Sequence, residues 1–293
     1  MIKEIRMQTD LILQLCEKID LPLEAQKTAL RAISRWEKPL LRAVRFSNLN
    51  RIGACTRRLR RNRKEGAAFC LAFCLLQAES ARAEYRHRGI PEEIYYATMR
   101  DITVWVNTLK REENLIGVAE ISWLRHALYL NLFQIGRLQY QFFKTNHLLS
   151  GLPASREYPI PSGAQVLNIH VPEGGKLLLA DCRASVAAAK TFFATYYPQY
   201  KYQGFVCDSW LLDCHNQQFM RPDGNILQFA SLFDEVVQTK APTGEIVRRL
   251  WGKEFAEKTK RSDLPTNTDL QKRTKQYLLN GGKTGSGYGF LRK

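Results

Sequence analysis

Apolar residues recur at helical spacing along the first part of the chain. Leu11, Leu15 and Ile19 lie four residues apart, and later apolar stripes repeat this spacing. Such recurrence is typical of amphipathic α-helices. Pro91 precedes two glutamates, which is typical of a helix start, because proline fits the first turn and acidic side chains favour the N-terminal end of the helix dipole. The pattern therefore predicts an all-helical unit over residues 1–118.

The pattern changes after Gly117, where apolar and polar residues begin to alternate. Ser122 is predicted to cap a short helix that ends at Gly136, and alternation from Leu138 then indicates a half-buried strand. The glycine-rich stretch 281–289 neither follows a strand nor opens a helix, so it is predicted to be a terminal hairpin or a disordered tail. Further apolar runs and helical spacings predict strands at 166–171, 204–212, 225–233 and 235–237, and helices at 181–197 and 269–279.

Together these elements predict an α/β fold of the α+β kind. An all-helical domain over residues 1–118 precedes a mixed-sheet domain over residues 119–293. Helices are expected to cover the sheet, because each strand and each helix must bury its apolar face against another element.

A turn of unusual composition, Glu173-Gly174-Gly175-Lys176, joins the predicted strand at 166–171 to the helix that follows it. Such a turn leaves backbone N–H groups unpaired, and glycines let another group come close to them. A helix start of this kind attracts anions, phosphates above all. Two interpretations stay open: a tight connection that needs positive φ angles, or a cradle for an anion.

Polar residues interrupt the two predicted strands on either side of this turn. A neutral imidazole at His170 can accept a proton as a general base, and it can equally be a buried structural histidine. Asp208 and Ser209 are adjacent in an otherwise apolar strand, so alternation places their side chains on opposite faces. At least one of them therefore faces a hydrogen-bonding partner, which is either structural or part of a site.

The positive charge of the chain is concentrated in one segment. The formal net charge is +16, and thirteen lysines and arginines between Lys27 and Lys64 stand against a single acidic residue, Glu37. The basic run from Arg57 to Lys64 predicts either a solvated connector between helices or a surface for nucleic acid or another anionic partner.

Several features predict a cytoplasmic protein that needs neither membrane nor metal. The seven cysteines are scattered in a chain too long to need disulfide staples, so reduced thiols are expected. The longest apolar run, 66–78, is shorter than the roughly 20 residues of a membrane-spanning helix, and the N-terminus lacks the composition of a signal peptide. Cys207, Cys214 and His215 supply only fragments of the four-ligand set that zinc prefers.

Several segments of the chain resemble the bacterial two-domain acyltransferase-like proteins, in which a helical N-terminal domain precedes a GNAT-like C-terminal domain. The most similar are LNIHVPEGGKL at 167–177, FVCDSWLLD at 205–213, NILQF at 225–229 and LPTNTDLQKRTKQYLLNGG at 264–282. The resemblance implies a GNAT-type fold, in which acyl-CoA lies between two central parallel strands and its pyrophosphate rests on the loop before a helix. The strands would be 166–171 and 205–212, and Glu173, Gly174, Gly175 and Lys176 would form the pyrophosphate loop.

The resemblance also implies a reaction, the attack of an amine on the thioester of acetyl-CoA or a longer acyl-CoA. In such an N-acyltransferase His170 is the candidate base, and Asp208 or Ser209 would orient the substrate or that base. Two alternatives stay open. GNAT enzymes usually carry Gln/Arg-x-x-Gly-x-Gly/Ala where this chain has Pro-Glu-Gly-Gly-Lys, which favours a non-catalytic GNAT-like binding module, and the basic run favours a protein that binds nucleic acid or an anionic partner.

Overall fold

A computed structural model of the chain describes residues 2–45, 52–153, 156–239, 244–258 and 260–293. The chain forms two compact units, Met1–Ile135 and Gly136–Lys293. The domain division predicted after residue 118 stays a prediction. Within the described residues, no helix has both the length and the apolar character required to cross a membrane.

The first unit is helical, as predicted. The long helix α5 supplies much of its core, because apolar and small side chains are buried on almost every side of it. Gly66 allows α4 to pack closely on α5, since a Cβ at this position would lie 2.5 Å from the backbone nitrogen of Leu59. The elements are α1 (Ile2–Lys18), α2 (Leu23–Arg35), α3 (Glu37–Arg45), α4 (Ile52–Arg61), α5 (Arg63–His87), α6 (Glu92–Met99), α7 (Asp101–Glu113), α8 (Ile121–Leu128) and the strand β1 (Leu132–Ile135).

The second unit is built on a mixed sheet, which confirms the predicted fold class. Within this unit the strand order is β2-β3-β4-β6-β5, and the β3–β4 pair is parallel, whereas β2–β3, β4–β6 and β5–β6 are antiparallel. The elements are β2 (Leu138–Lys144), β3 (Gln165–His170), α9 (Leu179–Tyr196), β4 (Gly204–Ser209), α10 (Asn225–Ala230), β5 (Glu235–Thr239), α11 (Gly244–Trp251), α12 (Lys253–Lys258), α13 (Asp269–Leu279) and β6 (Ser286–Arg292).

Three predicted elements are wrong. The helix expected to run to Gly136 ends at Leu128, because Leu130 takes a positive φ of 55° and the chain then enters β1. The strand expected at 225–233 is the helix α10, whose apolar residues follow helical spacing after an extended N-cap at Gly224. The stretch 281–289 is neither a hairpin nor a tail, since it leads into β6, which lies between β4 and β5.

Each face of the sheet is covered by a different part of the chain. Val166, Val206 and Phe290 point into an apolar cluster that includes residues of the connection between β2 and β3, such as Ile160. Helix α9 is anchored to β2 by Ser185, whose Oγ accepts a hydrogen bond from the Leu138 N–H at 3.2 Å and lies 2.9 Å from the Tyr140 hydroxyl. These contacts set the start of α9 beside the end of β3.

Candidate functional site

The two parallel strands pair with each other over a short length. Leu167 pairs with Phe205 and Asn168 pairs with Val206, whereas β3 continues to His170 and β4 continues to Ser209. No further pair joins β3 to β4 within the described residues, so the facing edges of the two strands stop hydrogen-bonding each other at their C-terminal ends. A ligand can therefore enter between them and meet backbone donors and acceptors.

The turn after β3 is held from one side by Arg137, which lies in the tight turn between β1 and β2. Its Nε donates to the Lys176 carbonyl at 2.9 Å, and its two Nη atoms donate to the carbonyls of Pro172 and Gly175 at 3.1 and 3.4 Å. Burial of this guanidinium lowers the pKa of Arg137. A single side chain thus gathers three carbonyl oxygens of the turn.

The N–H groups of Lys176 and Leu177 consequently face away from Arg137, because a trans peptide directs its N–H opposite to the C=O of the preceding residue. Gly174 and Gly175 are exposed and take φ angles of 92° and 70°, which glycine adopts without strain. Across the described part of the chain, no hydrogen-bond acceptor meets the backbone N–H of Gly174, Gly175, Lys176 or Leu177. The turn offers a row of available amide donors. Glu173 is also exposed.

A cavity of about 390 Å³ opens beside these amides. The turn before α9 and the starts of α10 and α13 border this cavity. Both basic and apolar side chains line it. Its lining consists of Gly175, Lys176, Leu177, Met220, Arg221, Gly224, Asn225, Ile226, Leu227, Asp269, Leu270 and Arg273. Three of these residues are cationic and one is anionic, so the groove favours a ligand that carries negative charge.

Asp269 organises the basic side of the groove. The Nε atoms of Arg221 and Arg273 donate to the same Asp269 oxygen, Oδ2, at 3.0 and 2.9 Å. These bonds, that from Arg273 above all, hold the pKa of Asp269 below its usual value. Asp269 is the first residue of α13, whose start is fixed by a capping box between Thr268 and Gln271.

Polar side chains cluster on one face of the sheet where β3 and β4 end. His170 Nε2 lies 2.9 Å from Gln141 Oε1, and Gln139 is the register partner of His170. Asn168 of β3 pairs with Val206 of β4, and side chains two residues apart in a strand point to the same face, so His170 and Asp208 share one face. Tyr288 pairs with Asp208 and lies on this face too. His170 and Asp208, predicted to be site residues, are thus brought to one face.

This polar cluster is only partly satisfied by the protein. The Gln139 Nε2 is buried and finds no hydrogen-bond partner among the described residues. Asp208 is exposed as a residue, yet desolvation of its carboxylate raises its pKa, and burial raises the pKa of Tyr288. An amide nitrogen in this position can donate a hydrogen bond to a bound molecule.

Ser209 lies on the opposite face, as the alternation predicts. Its Oγ accepts a hydrogen bond from the Leu211 N–H at 3.2 Å and caps the short 3-10 helix Trp210–Leu212, so β4 ends three residues earlier than expected.

The three adjacent residues Asp213, Cys214 and His215 place potential metal ligands within 4.8 Å of one another. The carboxylate of Asp213 already accepts hydrogen bonds from the His215 ring and from the backbone N–H of His215 and Gly285. The cluster therefore ties the segment before β6 to the end of β4. Cys207 lies apart from it, buried in β4.

Sequence patterns did not reveal Arg137, Arg221 or Arg273. Arg137 lies 39 residues before the Lys176 carbonyl that it contacts, and Arg221 lies 48 residues before Asp269. The one available signal is the position of Arg137 directly after a glycine between two apolar runs.

A helical unit followed by a mixed sheet, with central parallel strands that part beside a glycine turn, defines a two-domain GNAT-like acyltransferase. The comparisons agree with this class. The chain belongs to the family described as GNAT-like C-terminal domain, which matches residues 132–291, and the N-acyltransferase N-terminal domain matches residues 10–130. The resemblance predicted from the sequence is confirmed.

Solved structures share the fold over almost the full chain. A crystal structure of an acyltransferase in complex with decanoyl-CoA and teicoplanin is 21% identical, with a TM-score of 0.74 over 95% of this chain and 86% of that chain. An acyltransferase in complex with CoA and 10C-teicoplanin is 20% identical, with the same TM-score and coverage. Comparison with curated proteins finds no match.

Proposed function

We propose that the protein is an acyl-CoA-dependent N-acyltransferase that transfers an acyl group to an amine. The observation that carries this proposal is the groove beside Gly174–Leu177, where available backbone amides and cationic side chains adjoin the parted ends of β3 and β4. The solved neighbours hold CoA or decanoyl-CoA, which supports the same ligand class for this chain.

In this proposal the pyrophosphate rests on the amides of the turn. Backbone N–H groups and a helix N-terminus favour bound phosphate, and Lys176 adds a positive charge. The pantetheine arm then extends between β3 and β4, where the missing strand pairing leaves backbone groups to hydrogen-bond it. The thioester carbonyl is polarised by a strand N–H.

The chemical step is direct transfer. The amine nitrogen attacks the thioester carbon, a C–N bond forms, the C–S bond breaks, and CoA leaves as the thiolate or thiol. The ammonium form of the amine must lose a proton first, and the polar face supplies two candidates, His170 and Asp208. The raised pKa of Asp208 brings this carboxylate closer to the basicity that suits a general base near neutral pH. Ser209 remains a candidate for orienting the substrate.

The test combines donor binding with turnover. Acetyl-, octanoyl- and decanoyl-CoA are titrated into the protein at about 100 micromolar, where isothermal titration detects binding free energies stronger than about −5 kcal/mol. We expect a heat signal with at least one of these donors. Release of CoA thiol is then followed with a mixed amine pool. Absence of binding to every donor contradicts the proposal.

The variant Asp208→Asn separates the enzyme from the binding module. We expect donor affinity to stay within about twofold and the rate of thiol release to fall by about 10²-fold or more, a typical effect for the loss of a general base. Donor binding without any turnover by the parent protein would favour the non-catalytic alternative.

A further inference from the structure

We propose that Arg221 and Arg273 form a phosphate clamp that recognises the 3′-phosphate of coenzyme A, so that the acyl donor is free acyl-CoA and not an acyl group carried on the phosphopantetheine of a carrier protein. This inference rests on the proposed function, and it specifies which part of the donor the basic side of the groove binds.

Both guanidinium groups are oriented before a ligand arrives. Each uses its Nε to bond the same oxygen of Asp269, and the Nη atoms of both make no hydrogen bond to any residue that the structure describes. A guanidinium carries five N–H donors in a fixed planar fork, four of them on the Nη atoms. The two forks can therefore bond phosphate oxygens while Asp269 keeps them in place.

The groove retains positive charge after this pairing. Lys176, Arg221 and Arg273 line it against one carboxylate, that of Asp269. The side chains of Arg221 and Arg273 are 60% and 43% exposed, which suits the end of a ligand that stays at the protein surface. Holding two cations together before binding lowers the entropy lost when a dianion is bound.

Two anion positions match the chemistry of coenzyme A. The amides of Gly174–Leu177 offer one position, and the Arg221–Arg273 pair at the start of α13 offers a second in the same groove. Coenzyme A carries a diphosphate and a separate phosphate on the ribose. A phosphopantetheine group on a carrier protein has one phosphodiester and no nucleotide, so it leaves one of the two positions without a ligand.

The test compares coenzyme A with 3′-dephospho-coenzyme A by titration calorimetry. We expect the parent protein to bind coenzyme A about tenfold more tightly, because charge-assisted bonds from the two guanidinium groups to the 3′-phosphate favour binding and solvent screening limits their effect. In Arg221→Gln, Arg273→Gln and the double variant, this ratio falls toward one, while affinity for the dephospho compound stays within about twofold.

Arg249→Gln is the matched control. Arg249 also bonds a carboxylate through Nε, that of Glu245 four residues earlier, at 2.7 Å, and it is 57% exposed, but it does not line the groove. It should preserve the tenfold ratio. Loss of the ratio in this control would attribute the effect to general charge and overturn the clamp. Thermal unfolding of each variant shows that it is folded.

The outcomes separate the inference from the proposed function. Equal binding of both compounds by the parent protein would overturn the clamp and leave acyl-CoA binding intact. Binding of neither compound would overturn both. Turnover of an acyl carrier protein thioester at a rate similar to that of the matching acyl-CoA would also overturn the assignment of the donor.

Discussion

Arg137 illustrates how one side chain sets the chemistry of a backbone turn. Its guanidinium donates hydrogen bonds to the carbonyls of Pro172, Gly175 and Lys176. The N–H groups of the same trans peptides therefore point away from Arg137. The turn thereby exposes amide donors beside the exposed side chain of Glu173. A loop motif read from the sequence alone misses this support.

Replacement of Arg137 tests this support directly. Arg137→Met should weaken acyl-CoA binding by about tenfold, because the turn loses the three hydrogen bonds that orient its amides before the ligand binds. Arg137→Lys is the control for charge, since an ammonium group cannot bond three carbonyls in the planar arrangement of the guanidinium. Full recovery of affinity in the lysine variant, measured by titration, would show that charge and not geometry is responsible.

Asp208 should make stability depend on pH. Its pKa is raised in the folded protein by desolvation, so its contribution to stability is fully present below the unfolded pKa and is lost as pH rises through the folded pKa. Asp208→Asn removes this loss. Denaturant unfolding between pH 3 and pH 8 should therefore show the variant gaining stability relative to the parent as pH rises. A difference that stays constant across this range would contradict the raised pKa.

Sequence patterns located the glycine turn and the strands beside it because these features are local. The apolar run before Glu173 and the double glycine after it lie within a single stretch of ten residues. By contrast, the arginines of the groove are brought there by tertiary structure, from the β1–β2 turn, the segment before α10 and the helix α13. No spacing in the sequence encodes their convergence, so the basic side of the groove could not be predicted.

Among the secondary-structure elements, β6 was the hardest to predict. Glycines weaken isolated strands, and a segment with Gly285, Gly287 and Gly289 therefore looks like a tail. In the fold these glycines are needed, because Gly287 packs directly against the Leu212 carbonyl and Gly289 packs against Phe233 and Leu212. The close approach of Leu212 and Phe233 therefore explains why β6 is rich in glycine, which the local sequence pattern does not explain.

Gly287→Ala should consequently destabilise the protein. The new Cβ would overlap the Leu212 carbonyl oxygen, which belongs to the backbone and cannot move aside, so a cost of about 2–3 kcal/mol is expected in denaturant unfolding. Gly289→Ala is the matched comparison, since its new Cβ meets side-chain atoms of Phe233 and Leu212 that can shift. The order of the two costs is the result to check, and a reversed order would contradict this packing.

The start of α13 can be tested through its capping box. Thr268→Ala removes the acceptor of the Gln271 N–H and should lower stability by about 1 kcal/mol, whereas Thr268→Ser should preserve it. Because Asp269 follows the cap directly, the alanine variant should also weaken coenzyme A binding. Unchanged unfolding in the alanine variant would show that the cap contributes nothing.

At the scale of the whole molecule, the basic run from Arg57 to Lys64 has no role in the proposed reaction. Arg57, Arg60 and Arg61 are exposed in and beside the last turn of α4, whereas the guanidinium of Arg58 lies 4.0 Å from the centre of the Phe69 ring and supports packing. The predicted surface for nucleic acid or another anionic partner is therefore best tested without changing Arg58.

If the predicted surface binds double-stranded DNA, replacing Arg57, Arg60 and Arg61 with alanine reduces that binding in a salt-dependent manner. If each arginine neutralises one phosphate, the slope of log affinity against log salt concentration becomes shallower by about three. Fluorescence anisotropy with a labelled duplex measures this slope. A variant with the parental slope would exclude these arginines from any such contact.

The position of β6 has a consequence for how the protein is made. β4 obtains its second neighbour, and β5 its partner, only through residues 286–292, which the ribosome synthesises after every other strand. The edges of β4 and β5 therefore stay unpaired while helices α11–α13 are translated. Unpaired strand edges favour association with other chains. Chaperone dependence during translation, and insolubility of chains truncated before Ser286, are the expected signs.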